Sequence, residues 1–313
     1  LRGAVEKAVL GIPGVDKAMV ALTAERPAAG PAQAQPGDNP RGGAVPGIRH
    51  LIAVASGKGG VGKSTTAVNL ALGLQSLGLR VAVLDADVYG PSVPKLMGLS
   101  GKPEASDAAG KKMKPMRRHG VDVMSIGFLV PEDTPMIWRG PMVMSALTQL
   151  LRETEWSPAD VMVIDMPPGT GDVQLTLAQQ TPLSGAVIVS TPQDLALIDA
   201  RKGLAMFRKV NVPVIGIIEN MSYFMCDACG ARHEIFGHGG ARAEAERIGV
   251  PFLGEVPLDK DLRMRSDAGE PVVASMPDSQ HSAIYRDVAR QVWAALAGGG
   301  LARPAPRIVV DNA

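Results

Sequence analysis

Gly57-Lys58-Gly59-Gly60-Val61-Gly62-Lys63-Ser64-Thr65 is the stretch on which the reading of the whole sequence turns. An apolar run, Leu51–Ala55, leads into it, and Ala67, Leu70, Ala71, Leu74 and Leu77 follow at helical spacing. Strand, glycine loop and helix in that order are the context that G-x-x-x-x-G-K-[ST] requires. The glycines let consecutive backbone N–H groups curl around phosphate oxygens, and the helix N-terminus adds the positive end of its dipole. Lys63 is then placed to reach the terminal phosphates, and the Ser64 hydroxyl to bind Mg²⁺. All nine residues from Gly57 to Thr65 are candidate nucleotide contacts.

Working outward, Val81–Asp85, Val161–Asp165, Ala186–Ser190, Val214–Glu219 and Phe252–Val256 repeat the pattern of a short apolar run followed by a longer helical one. Runs that are apolar without alternation fit strands buried on both faces. The expected fold is therefore α/β, with a mostly parallel central sheet flanked by helices. Leu1–Arg26 reads as helix, turn and strand, the partial small α/β segment of residues 1–27. Residues 28–47, rich in Pro, Gly, Ala and Gln, read as a flexible linker. Residues 48–297 form the main domain, and 298–313 read as a disordered tail.

Composition narrows the function. The chain has 313 residues, 46% hydrophobic and 20% charged, with 32 basic against 31 acidic side chains. Such a balance argues against a coat for nucleic acid or an anionic membrane. The apolar runs fall far short of the ~18 residues of a transmembrane helix. Two cysteines cannot staple a domain of this size, so a reducing, cytoplasmic setting is expected. No signal peptide is read at Leu1.

Lys58 is a second lysine that the ordinary phosphate loop does not need. The string Lys58–Thr65 resembles the deviant Walker A motif of the P-loop NTPase family that holds the septum-site and chromosome-partition ATPases, the arsenite-pump ATPase and nitrogenase iron protein. The resemblance implies that Lys58 crosses a dimer interface to the partner's nucleotide, making an ATP-gated homodimer. It also implies roles for two carboxylate stations at strand ends. Asp85 and Asp87 match the first switch, with Asp87 positioning the attacking water and Asp85 supporting Mg²⁺. Asp165, opening Asp165-Met166-Pro167-Pro168-Gly169-Thr170-Gly171-Asp172, looks like Walker B with the second switch. Asn220 and Pro257-Leu258-Asp259 stand where that family holds adenine.

Cys226-Asp227-Ala228-Cys229-Gly230 is the second feature with chemistry in it. A C-x-x-C turn lets two thiolates face one metal, the geometry of zinc and iron–sulfur knuckles. Two buried structural thiols and a redox dithiol are the competing readings. A thioredoxin-type pair sits between a strand and a helix N-terminus, whereas Asn220–Phe224 and a polar, His-containing stretch are expected around this one, so half a metal site fits best. A tetrahedral zinc or a [4Fe-4S] cluster takes four ligands, which two copies of the chain supply. His233 and His238 are the alternative, completing a zinc site within one chain.

Taken together, Gly57–Thr66, Asp85–Ser92, Trp138-Arg139-Gly140-Pro141, Asp165–Asp172, Ser190–Asp194, Glu219–Ser222 and Cys226–Cys229 resemble the Mrp/ApbC family of iron–sulfur cluster carrier ATPases. Residues 1–27 look like the end of the small domain that often precedes the ATPase in bacterial members. The resemblance implies a homodimer that binds and hydrolyses ATP with Mg²⁺, holds a labile [4Fe-4S] cluster, and exchanges it with scaffold and apo-proteins. A partition-like switch on DNA or membrane and a zinc-bridged ATPase dimer are the alternatives.

Overall fold

The computed structural model describes residues 43–106, 112–130, 138 and 140–298. They all belong to one unit of the chain. The small α/β segment of residues 1–27, residues 28–42 of the expected linker and residues 299–313 of the expected tail lie outside them. The domain begins before Ile48: Val45 is 2% exposed, and the Gly47 carbonyl accepts from the Ala159 amide at 2.8 Å. Residues 45–47 therefore pack onto the domain, because Val45 has an apolar surface to bury.

The phosphate-loop stretch lies between β1 (Ile48–Ala55) and α1 (Lys63–Ser76). The strands that follow are β2 (Val81–Asp85), β3 (Met116–Arg118), β4 (Val121–Ser125), β5 (Ala159–Asp165), β6 (Gly185–Ser190), β7 (Val214–Met225), β8 (Arg232–His233) and β9 (Phe252–Leu258). The remaining helices are α2 (Val93–Leu96), α3 (Gly140–Arg152), α4 (Asp172–Gln180), α5 (Asp194–Lys209), α6 (Gly240–Ile248), α7 (Lys260–Ala268), α8 (Val272–Ser275) and α9 (Gln280–Ala297). Among the described residues the strands form one sheet in the order β3-β4-β2-β5-β1-β6-β7-β8, with β9 also on β7. All pairings are parallel except β3 with β4 and β7 with β8.

Every residue of β2, β4 and β6 is buried, so both faces of the sheet are covered. Helix α1 is buried from Thr66 to Leu74 because the sheet lies on one side and α9 on the other. Gly73 is the point of closest approach: a Cβ there would stand 2.9 Å from the Tyr285 carbonyl oxygen and 3.1 Å from the Ala289 Cβ. Among the described residues no helix is long and apolar enough to cross a membrane.

The six strands expected from the sequence are all present, most of them a few residues longer. Strands β3, β4 and β8 were not anticipated. The larger correction is to β7, which does not stop at Glu219. Its ladder is interrupted between Asn220 and Phe224, with Met221 at a positive φ of 55°, and then resumes against β8 and Leu258. The polar residues Asn220 and Ser222 break the apolar run without ending the strand. The cysteine pair thus follows a strand directly, contrary to expectation, but leads into a tight turn and β8 rather than a helix. Pro257 likewise lies inside β9, with only Asp259 beyond it.

Gly73→Val should lower the unfolding free energy by about 1–3 kcal/mol, the cost of overpacking a filled interface. A urea titration that gives wild-type stability contradicts the α1–α9 packing described here.

The phosphate loop, its carboxylates and the cysteine hairpin

Parallel register brings the strand ends into line. Val54 of β1 and Asp85 of β2 both pair with Asp165 of β5, so Asp85 and Asp165 stand side by side where the loop after β1 begins. This is the carboxyl edge of the sheet, where open α/β folds bind ligands. The loop itself is held tightly. At Gly62, with φ at +80°, a Cβ would lie 2.1 Å from Asn220 Nδ2, and at Gly57 it would meet the Asp199 backbone. Neither position accepts a side chain.

Lys63, 6% exposed, sends its ammonium into this edge. Its Nζ lies 2.5 Å from Asp165 Oδ1, 3.1 Å from Ser64 Oγ and 3.8 Å from Asp87 Oδ2. Burial pushes Asp165 above the usual carboxylate range, and Lys63 opposes the shift. Burial also raises Asp85, reinforced by the neighbouring Asp165 charge. Asp87 is raised for the same first reason. Both oxygens of Asp85 already accept hydrogen bonds, Oδ2 from Ser125 Oγ and the Val93 amide and Oδ1 from the Asp87 amide. Asp165 differs: its Oδ2 is buried with no hydrogen-bond partner among the described residues. An orphaned carboxylate oxygen beside a serine hydroxyl is a hard-oxygen donor set that fits Mg²⁺.

Two adjoining cavities of about 260 Å³ each open onto Gly62 and Thr65. One is lined by Lys58, Lys63, Ser64 and Asp87, the other by Asn220, Pro257, Asp259 and Leu262. The Lys58 ammonium has no hydrogen bond or ion pair among the described residues, although its carbonyl accepts from Ser56 Oγ at 2.8 Å. Asn220 Nδ2 donates to the Val61 carbonyl at 2.8 Å, tying β7 to the phosphate loop. Asp259 Oδ1 accepts from the Leu262 amide and so caps α7. Sequence reasoning missed Ser125, which lies on β4, a strand that was not anticipated because Asp122 and Ser125 interrupt its apolar pattern. It also gave no role to Glu219. That buried carboxylate accepts from Ser222 Oγ at 2.6 Å and from the Ala241 amide at 2.7 Å, holding α6 against β7.

At the far end of β7, Cys226 and Cys229 are free thiols, the second exposed. The Cys226 amide donates to the Ala231 carbonyl, and the Gly230 amide, in left-handed conformation, donates to the Cys226 carbonyl. The turn aims the Cys229 and Ala228 amides at the Cys226 sulfur, which lowers its pKa below that of an ordinary thiol. Both thiols and a His233 ring nitrogen lie within 4.8 Å of one another. His238 is not part of this group: its Nδ1 faces Arg232 at 3.0 Å, and it clusters with Glu219 and Glu255.

Residues 47–293 match the ParA family, described as NUBPL iron-transfer P-loop NTPase. The chain belongs to this family. It is 54% identical over 263 residues to a Salmonella typhimurium protein named iron-sulfur cluster carrier protein, which covers 84% of this chain and 69% of that one. To the Mus musculus iron-sulfur cluster transfer protein NUBPL it is 54% identical over 250 residues, 79% of this chain and 78% of the other. Among solved structures it is similar to a nucleotide-binding protein from Archaeoglobus fulgidus in complex with ADP, with Co found by PIXE. There the identity is 39% and the TM-score 0.66, covering 75% of this chain and 91% of that one. The P-loop NTPase fold expected from the sequence is thus the observed one.

The Cys226 sulfur gives a direct check on the hairpin geometry. In metal-free Cys229→Ser protein, alkylation of Cys226 should rise with pH about a midpoint below ~8.5, the value for a free thiol, because amide donors favour the thiolate. A midpoint at or above that value means the amides do not point at the sulfur.

Proposed function

We propose that this chain is an ATP-binding and ATP-hydrolysing iron–sulfur cluster carrier of the cytoplasm. It works as a homodimer that takes a labile [4Fe-4S] cluster as cargo from a scaffold protein and delivers it to apo-proteins. The observation that carries this reading is the placement of two close, unpaired cysteines at the end of the strand whose Asn220 holds the phosphate loop. Family membership and the names of the relatives support it. One chain offers two thiolates, and a four-iron cluster takes four ligands, so two chains meeting at this hairpin complete the shell.

At the nucleotide site, the Gly57–Thr65 backbone would receive the phosphates and Lys63 would turn from Asp165 to the terminal phosphate. Ser64 and the free Asp165 oxygen would hold Mg²⁺, with Asp85 fixing the strand end behind them. Mg²⁺ would neutralise charge that develops on the β- and γ-phosphate oxygens. Asp87 orients the attacking water, and Lys58, whose ammonium has no partner among the described residues, reaches the neighbouring chain's γ-phosphate. Adenine would occupy the cavity of Asn220, Pro257 and Asp259. Nucleotide shifts the dimer only through unequal affinity for its two arrangements.

Lys63→Ala should abolish tight Mg²⁺-ATP binding in titration calorimetry; affinity within about twofold of wild type would remove Lys63 from the phosphate site. Lys58→Ala should slow hydrolysis far more than it weakens binding, since its target is charge in the transition state. Equal loss of both points instead to a role within its own loop. Asp87→Asn should bind Mg²⁺-ATP and turn it over slowly, and unchanged turnover excludes it from the mechanism. Anaerobic reconstitution with iron and sulfide should load about four irons per two chains in wild type and none in Cys226→Ala, without loss of ATP binding. A Cys226→Ala protein that still loads and transfers iron would falsify the carrier reading.

A further inference from the structure

The C-x-x-C motif supplies two ligands, but the fold adds a third that the cluster reading does not use. His233 is the Cα partner of Phe224 across the β7–β8 ladder, and the two rings lie 6.4 Å apart between centroids. Directly paired residues on adjacent strands project to the same face, and residues two apart along one strand share a face. Phe224, Cys226 and His233 therefore face the same way, while Met225 points to the other side and is exposed. The turn from Cys226 to Gly230 then folds Cys229 back toward the same point. A Cys₂His group results within a single chain, its three ligand atoms mutually within 4.8 Å. Tetrahedral ligands at Zn–S distances of about 2.3 Å stand roughly 3.8 Å apart, so a small side-chain adjustment closes the shell.

We propose that each chain, before pairing, holds one divalent d-block cation of borderline softness, such as Zn²⁺ or Fe²⁺, through Cys226, Cys229 and His233. The inference rests on the hairpin being the metal-holding element assigned above, and it concerns the single chain rather than the dimer. Two thiols bind as thiolates and release two protons, and the neutral imidazole donates a ring-nitrogen lone pair. The site is then electrically neutral, with its fourth position open to water or an incoming thiolate. Three protein ligands and one open position differ from a closed structural site and leave a coordination position for an incoming ligand. His233 is exposed, so the ion is reachable from solvent. His238, of similar chemistry and five residues away, takes no part.

Co²⁺ tests this, because tetrahedral cobalt is coloured where zinc is silent. The full-length reduced protein, titrated anaerobically, should bind one Co²⁺ per chain, with visible bands of tetrahedral geometry and thiolate charge-transfer absorption. His233→Ala should weaken Co²⁺ binding by about tenfold or more and alter the visible bands, as expected when a ligand is lost rather than a supporting group. His238→Ala should leave affinity and spectrum unchanged. The proposal is overturned if His233→Ala binds with wild-type affinity and spectrum, if Cys226→Ala does so, or if the wild type binds one ion per two chains. Iron–sulfur reconstitution of the same variants separates the two readings. His233→Ala that binds cobalt like wild type and loads a cluster sinks the histidine site and leaves the carrier standing. Cys226→Ala that loses cobalt yet loads a cluster sinks the carrier reading and leaves the single-chain site standing.

Discussion

One ammonium group, that of Lys63, is set against three carboxylates at the carboxyl edge of the sheet. Asp85 and Asp165 are fully buried and Asp87 nearly so. Buried charge without compensation costs far more than a folded domain has in net stability. The site therefore survives because Asp85 is saturated with protein donors, Lys63 is bound to Asp165, and burial raises the carboxylate pKa values. The protein has gathered three carboxylates around one buried ammonium, the one counter-ion paired with them among the described residues. Such a place is receptive to a divalent cation bound together with a polyanion, which is what the proposed Mg²⁺-ATP ligand is. The same lysine cannot serve Asp165 and a terminal phosphate equally well. Nucleotide arrival would therefore redistribute contacts at the strand ends.

Strand β7 is the element on which both halves of the proposed function converge. Asn220 grips the Val61 carbonyl at one end of its irregular segment, Glu219 holds the N-terminus of α6, and Cys226 lies just past its last residue. At about 3.3 Å per residue, six residues place the hairpin within roughly 20 Å of the phosphate loop along one continuous backbone. The left-handed Met221 and the interrupted ladder give that backbone a joint between the two. Proximity on one strand is a connection rather than a demonstrated coupling. It does name where coupling would have to run.

The cysteine hairpin sits on the surface of a fold that many functions share. In the proposed function the scaffold would carry the nucleotide chemistry and the hairpin between β7 and β8 the metal chemistry. Arg232, stacked 3.9 Å above the Tyr223 ring and facing Glu255 and His238, packs β8 down onto the sheet. A two-residue strand with little else to hold it needs such anchoring, and its position decides whether His233 reaches the thiols.

The parallel sheet and its phosphate loop were legible in the sequence because both are written locally. Short, β-branched, uninterrupted apolar runs such as Val161–Ile164 fit strands buried on both faces, and Gly57–Thr65 carries its chemistry in consecutive residues. Asp85 and Asp165 could be placed at strand ends for the same reason. The sequence also held the C-x-x-C spacing, and with it the expectation of half a metal site. What it could not show depends on register between distant segments. The continuation of β7 past Asn220 was hidden by polar residues that interrupt an apolar run without ending hydrogen-bond pairing. Ser125 reaches Asp85 only because β4 lies beside β2, forty residues away in sequence. Both histidines were equally plausible partners for the cysteines by spacing alone. Pairing of His233 with Phe224 turns one toward the thiols, and Arg232 and Glu234 hold the other away. Local pattern determined the elements and their chemistry, whereas the choice between like residues fell to the strand ladder, since only cross-strand register decides which side chains share a face.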